Sequence, residues 1–203
     1  MKKVFKFSVN PFEWIAGGKS LIIGLLAMAV IGTVGALSAT YFDGVLDAHV
    51  GAKTNWLNSF VCLAVDWAAL VAVFGIAAMI FAKSFRFIDI LGTFALAQTP
   101  RLFMALGGFL APKSLAEIDA MAQTETLESV VESTMALLSQ PSVIVACIVL
   151  GILSVVLIVW LVTLYYNAFR ISANLKSPKV IYIFIAGIIL AEILSKIALG
   201  IIL

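Results

Sequence analysis

The sequence predicts an all-α integral membrane protein, a bundle of five transmembrane helices with its N-terminus in the cytoplasm and its C-terminus outside. Three observations carry that reading. Of 203 residues, 63% are hydrophobic and 12% charged, and the mean hydropathy of +1.15 lies far above that of a soluble domain. The apolar residues are gathered into runs of about 20, the length a helix needs to cross a hydrocarbon core of roughly 30 Å. Lysine and arginine concentrate in alternate joints between those runs, as expected when basic residues near span ends are retained in the cytoplasm.

The N-terminal segment, residues 1–20, reads as cytoplasmic with a short interfacial helix. In Asn10-Pro11-Phe12-Glu13 a capping residue precedes a proline at the first helical position and a glutamate that can reach back. Gly17-Gly18 is expected to end that helix, which would lay Phe12, Trp14 and Ile15 into the interface. The membrane domain then covers 21–203. Span one is placed at about 21–42; its apolar run is longer than the core of roughly 7–15 residues in a secretory signal and starts too late for one. The others are placed at about 59–82, 90–110, 142–169 and 180–203. The third is interrupted by Pro100-Arg101, and the fourth carries Trp160, Tyr165 and Tyr166 where an aromatic belt would sit. Residues 114–140 read as an amphipathic outer joint: a capping box at Ser114 to Glu117, then Leu127, Val130, Val131, Met135 and Leu138 at mostly helical spacing.

The joints agree on one orientation. Lys2, Lys3, Lys6 and Lys19 precede span one, Lys83 and Arg86 follow span two, and Arg170, Lys176 and Lys179 follow span four. On the other side, Asp43, Asp47, His49 and Lys53 follow span one, and five carboxylates face a single lysine after span three.

Composition also limits function. A net charge of +2 split over short segments offers no nucleic-acid stripe. Cys62 and Cys147 lie inside apolar runs, where cysteine acts as a small hydrophobe. His49 is the only histidine, and no Ser/His/Asp constellation or metal-ligand spacing accompanies it in the sequence. No catalytic residue, metal or cofactor is therefore assigned, and the chain is not read as an enzyme.

Four charged side chains do fall inside spans, where they are costly and usually face the bundle interior. From about 1.5 Å of rise per residue, Asp66 lies on the order of 10 Å and Arg101 on the order of 13 Å below the outer ends of their spans. Glu192 and Lys196 bracket the same zone. Pairing is expected: Glu192 with Lys196, four apart on one face, and Asp66 with Arg101 between spans two and three. Pro100 is expected to kink span three, freeing a carbonyl as a further acceptor for the guanidinium. The charges balance and no ladder of further acids marks a path, so the network reads first as a device that sets helix register, and as the alternative a proton or ion relay.

The segment Phe85-Arg86-Phe87-Ile88-Asp89-Ile90-Leu91-Gly92-Thr93, continuing through Ala97-Gln98-Thr99-Pro100-Arg101, and the opening Asn10 to Ser20 resemble the bacterial branch of the YIP family, the Ypt/Rab-GTPase-interacting five-span membrane proteins. The resemblance implies a non-enzymatic multispan protein of membrane organisation or trafficking-like processes, in a bacterial inner membrane. In eukaryotic relatives it implies small-GTPase engagement through a cytoplasmic N-terminal domain. Here that domain is about twenty residues without the eukaryotic motif, which argues against GTPase binding. The resemblance carries over no site residue. The sequence thus reads as a scaffold or adaptor, the alternative being a small transporter or channel using Asp66, Arg101, Glu192 and Lys196. Its partners are the lipid bilayer and, left open, a membrane protein or a second copy of the chain.

Overall fold

The structure is a computed structural model that describes residues 2–50, 55–112 and 126–203, with side chains from Lys6 onward. The described chain is almost entirely helical, and four of its helices are long and apolar enough to cross a membrane: α2 (Gly17–Leu37), α3 (Trp56–Phe81), α7 (Pro141–Ser172) and α8 (Val180–Ile202). This is a multi-pass membrane architecture. Shorter elements complete it: α1 (Lys2–Val9), β1 (Thr40–Tyr41), β2 (His49–Val50), α4 (Phe87–Leu96), α5 (Pro100–Gly108) and α6 (Leu127–Leu138).

Spans two and five fall close to their expected places. Helix α3 starts three residues earlier than expected because Asn55 caps it, its side chain accepting from Leu57 N at 3.2 Å. Helix α7 runs 32 residues, starting with proline at a position where the missing N–H has no helical partner to lose. Span one is shorter than expected. Helix α2 ends at Leu37, and residues 40–42, read as its last turn, instead enter a hairpin in which Thr40 pairs Val50 and Tyr41 pairs His49.

The third run is divided rather than kinked. Pro100 opens α5, and between Ala97 and Thr99 the backbone closes through tighter bonds, Gln98 N to Ala95 O at 3.3 Å and Thr99 N to Leu96 O at 3.2 Å. Proline supplies no N–H and its ring crowds the preceding turn, so one continuous helix is replaced by two.

Packing follows the sites where side chains vanish. Helix α2 lies chiefly on α4, and α3 on α8. A Cβ on Gly24 would lie 2.5 Å from Leu96 N, and one on Gly92 2.5 Å from Gly17 O, so α2 and α4 meet backbone to backbone. At the centre Phe74 of α3 touches three rings: Phe94 of α4 at 5.0 Å, Phe169 of α7 at 4.8 Å and Phe184 of α8 at 5.6 Å. Four helices are thereby joined through one side chain, with offset and tilted geometries favourable to aromatic pairs.

The N-terminal segment differs from its expected form. Pro11–Glu13 is a single 3-10 turn, Gly17 begins α2 with φ of 62°, and Asn10 bonds the Glu13 side chain (3.1 Å) instead of the backbone. Phe12 is buried in the core and Trp14 is exposed, so the three apolar residues do not share one face. The segment is fastened to α7 by Trp160 Nε1 donating to Ser8 O and Asn167 Nδ2 to Val9 O, both at 2.9 Å. In the outer joint, the capping box at Ser114 to Glu117 lies outside the described residues, while α6 presents Leu127, Val131, Met135 and Leu138 as an exposed apolar row. Cys62 and Cys147 are free thiols.

Candidate functional site

The charged positions singled out in the spans divide into an interior pair and a rim. Asp66 on α3 and Arg101 in the first turn of α5 form an ion pair, Nη1 to Oδ2 at 2.6 Å, and both residues are fully enclosed. Asp66 is reached because α3 turns its Cys62, Asp66 and Ala69 face inward. Arg101 is aimed across the bundle because α5 begins one residue before it, at Pro100. Ser195 of α8 donates its hydroxyl to Asp66 Oδ1, so the carboxylate is satisfied from two helices.

The remaining acceptors of the guanidinium come from an unexpected quarter. Arg101 Nη2 donates to Gly44 O at 2.7 Å and to Val45 O at 2.6 Å, in the connection between α2 and α3. The freed carbonyl expected within span three plays no such part. The connection, read from sequence as a polar outer joint, folds back into the bundle with Phe42 and Val45 buried. The Phe42 ring lies 4.9 Å from the guanidinium carbon, close enough for a cation–π contact. Tyr165 extends the network from α7: its hydroxyl donates to Gln98 Oε1 at 2.9 Å, with Val45 O at 3.4 Å. A buried charge is tolerated only when paired and hydrogen-bonded, and here the compensation comes from α3, α8 and the hairpin together.

Glu192 and Lys196 belong to the rim. Their nitrogen and oxygen are 3.5 Å apart, but each has a nearer partner: Lys196 Nζ is 2.7 Å from Asp47 Oδ2, and Glu192 Oε2 accepts from Leu46 N at 2.8 Å. The four charges are thus bridged by the hairpin and do not form one cluster. Physically, both acids and both bases on the helices serve to hold residues 43–47 in place.

His49 requires a correction. Asp43 Oδ1 lies 3.1 Å and Asp47 Oδ2 3.6 Å from its Nε2, so the chain does assemble an imidazole with two carboxylates. Partial burial pushes the Asp47 carboxyl up, but the Lys196 hydrogen bond and the His49 and Lys196 charges outweigh this and hold it below its ordinary value of 3.8.

Sequence reasoning missed Ser195, Gln98, Tyr165 and the carbonyls of Gly44 and Val45. For the hairpin a signal existed: Phe42, Val45 and Leu46 are apolar residues inside an otherwise polar joint. For Ser195 the signal was its helical phase with Ala191 and Gly187 on the buried face of α8. Backbone carbonyl acceptors leave no trace in side-chain identity. Comparisons with protein-family models, curated proteins and solved structures give no match, so the functional reading rests on the geometry above.

Proposed function

We propose that this chain is a non-enzymatic membrane scaffold or adaptor, a five-span protein of a bacterial inner membrane related to the YIP family. The single observation that supports it most is the direction in which the buried charges spend their hydrogen bonds. Arg101 engages Asp66 and two carbonyls of the chain's own hairpin, which is the behaviour of a fastening and not of a site kept open for a passing ion. The decisive measurement is flux in liposomes reconstituted with the purified chain. Proton or solute movement should equal that of empty vesicles, and flux that disappears on Asp66→Asn would replace this reading with transport.

The transport alternative has one observation in its favour. Helices α4 and α5 contain 10 and 9 residues, or about 15 Å and about 14 Å at 1.5 Å per residue, together roughly one bilayer crossing. A discontinuous span with a charged residue at its break is the form that transporters use at their substrate sites.

The same length arithmetic supports counting α4 and α5 as one crossing, the third of five. With the basic joints inside, the N-terminus is cytoplasmic and the C-terminus outside. Reporter fusions after Asn55, Arg86, Glu125 and Lys176 are expected to read outside, inside, outside and inside. A reversal after Arg86 or Glu125 would mean that the broken helix re-enters without crossing.

A further inference from the structure

We propose that Asp43, Asp47 and His49 form a binding site for a divalent transition-metal ion of the zinc class, at the end of the bundle where the hairpin closes over α8. One ligand atom from each residue lies within 4.8 Å of the other two. The spacing is that of a coordination shell. Zinc bonds of about 2.0–2.2 Å to nitrogen and oxygen set neighbouring tetrahedral donors roughly 3.3–3.6 Å apart, and the two distances from His49 Nε2 are 3.1 Å to Asp43 Oδ1 and 3.6 Å to Asp47 Oδ2. Metal entry therefore asks for small side-chain adjustments and no refolding.

A second observation points to a cation. Asp43 Oδ1 is enclosed and receives no hydrogen bond, its near neighbour being the imidazole nitrogen at 3.1 Å. A shielded carboxylate oxygen facing a ring nitrogen without an aligned proton between them is relieved by an ion that both can ligate. Asp47 is prepared in the same sense: Ala48 N donates to its Oδ1 at 3.0 Å, leaving Oδ2 directed at the shared point. The imidazole is oriented by the Tyr41 ring stacked on it at 5.2 Å. The donor set selects the metal class, because an imidazole with two carboxylates suits zinc, whereas magnesium and calcium prefer oxygen alone. Three protein ligands leave the remaining position to water.

Lys196 is the built-in competitor. Its ammonium holds Asp47 Oδ2 at 2.7 Å and stands 3.5 Å from Glu192 Oε1. On metal binding it is displaced from Asp47 toward Glu192 on its own helix. Because Arg101 and Glu192 already hold the intervening backbone, the ion would tie the free end of a hairpin whose base rests on the buried pair. Binding to the folded state alone stabilises it by mass action.

The test uses the full chain, without an affinity tag, in detergent micelles, with zinc chloride as the only ligand. Calorimetric titration should show one saturable site per chain, and the melting temperature should rise with zinc but not with an equal concentration of magnesium. Asp43→Asn and His49→Ala should each weaken zinc at least tenfold. Lys196→Met should tighten it severalfold. Glu128→Gln with Glu132→Gln, which removes exposed carboxylates on α6, should change nothing. Zinc-edge X-ray absorption on the wild-type chain decides the matter even if a hairpin variant folds poorly, since it reads the ligands directly: one imidazole and an oxygen shell are expected. Absence of imidazole scattering, no saturable site, or equal affinity in Asp43→Asn and His49→Ala would overturn the proposal.

Discussion

Arg101→Leu is expected to destabilise the protein by more than the about 3–5 kcal/mol typical of breaking a buried ion pair, and by more than Asp66→Asn. Both substitutions leave an uncompensated partner, but they differ in what else they remove. Asparagine at position 66 can still accept from Arg101 Nη1 and meet the Ser195 hydroxyl, so its cost is mainly that of an unneutralised guanidinium. Leucine at position 101 abandons Asp66 and also removes the donor to Gly44 O and Val45 O, which lie among enclosed residues. Each buried carbonyl left without a donor adds about 1–3 kcal/mol. The double variant should recover only the charge-related part, because no donor returns to the hairpin. Unfolding in mixed micelles, monitored for the four chains of the cycle, gives the coupling. A pair acting alone would return nearly all of the loss in the double variant, and independent sites would sum. Partial recovery identifies Arg101 as the tie between α3, α5 and the hairpin. Flux measured on the same four chains separates this fastening from a relay.

Gly24→Ala should prevent α2 and α4 from docking. The added Cβ would meet Leu96 N at 2.5 Å and the carbonyl carbon of Ala95 at 2.6 Å. These are backbone atoms, which cannot swing aside as the end of a side chain does. Overpacking a core by one methyl group costs about 1–3 kcal/mol where neighbours can shift, and here the helices themselves must separate. Gly92→Ala should act alike, since its Cβ would lie 2.5 Å from Gly17 O and 2.8 Å from Leu21 N. Gly151→Ala and Gly200→Ala are the matched controls, with nothing within 4 Å of the added atom, and should stay within about 1 kcal/mol of wild type. Thermal melting and size-exclusion profiles in detergent would check the contrast. Equal behaviour of Gly24→Ala and Gly151→Ala would mean that the two helices are not in backbone contact.

The division between what was legible in the sequence and what was not follows from the range of the interactions. Apolar runs report the helices directly, because in lipid every backbone group must be satisfied within its own segment and the run length is set by the bilayer. That is why the four long helices, and the interruption at Pro100, can be read residue by residue. The charges in the spans were legible as positions because burying them is costly, and opposite signs at similar depth name Asp66 and Arg101 together. The assembled site was decided by contacts between residues far apart in the chain. Whether Phe42 and Val45 lie in water or in the core depends on α3, α5 and α8 offering Arg101 and Glu192 to their backbone, and carbonyl acceptors have no side-chain signature. The same folding back of the hairpin brings Asp43, Asp47 and His49 within reach of Lys196 on the last helix. Composition and periodicity determine that this chain enters a membrane as helices. Only tertiary packing decides that its polar joint becomes a buried hairpin, because one guanidinium with too few partners on its own helix takes the rest from the loop.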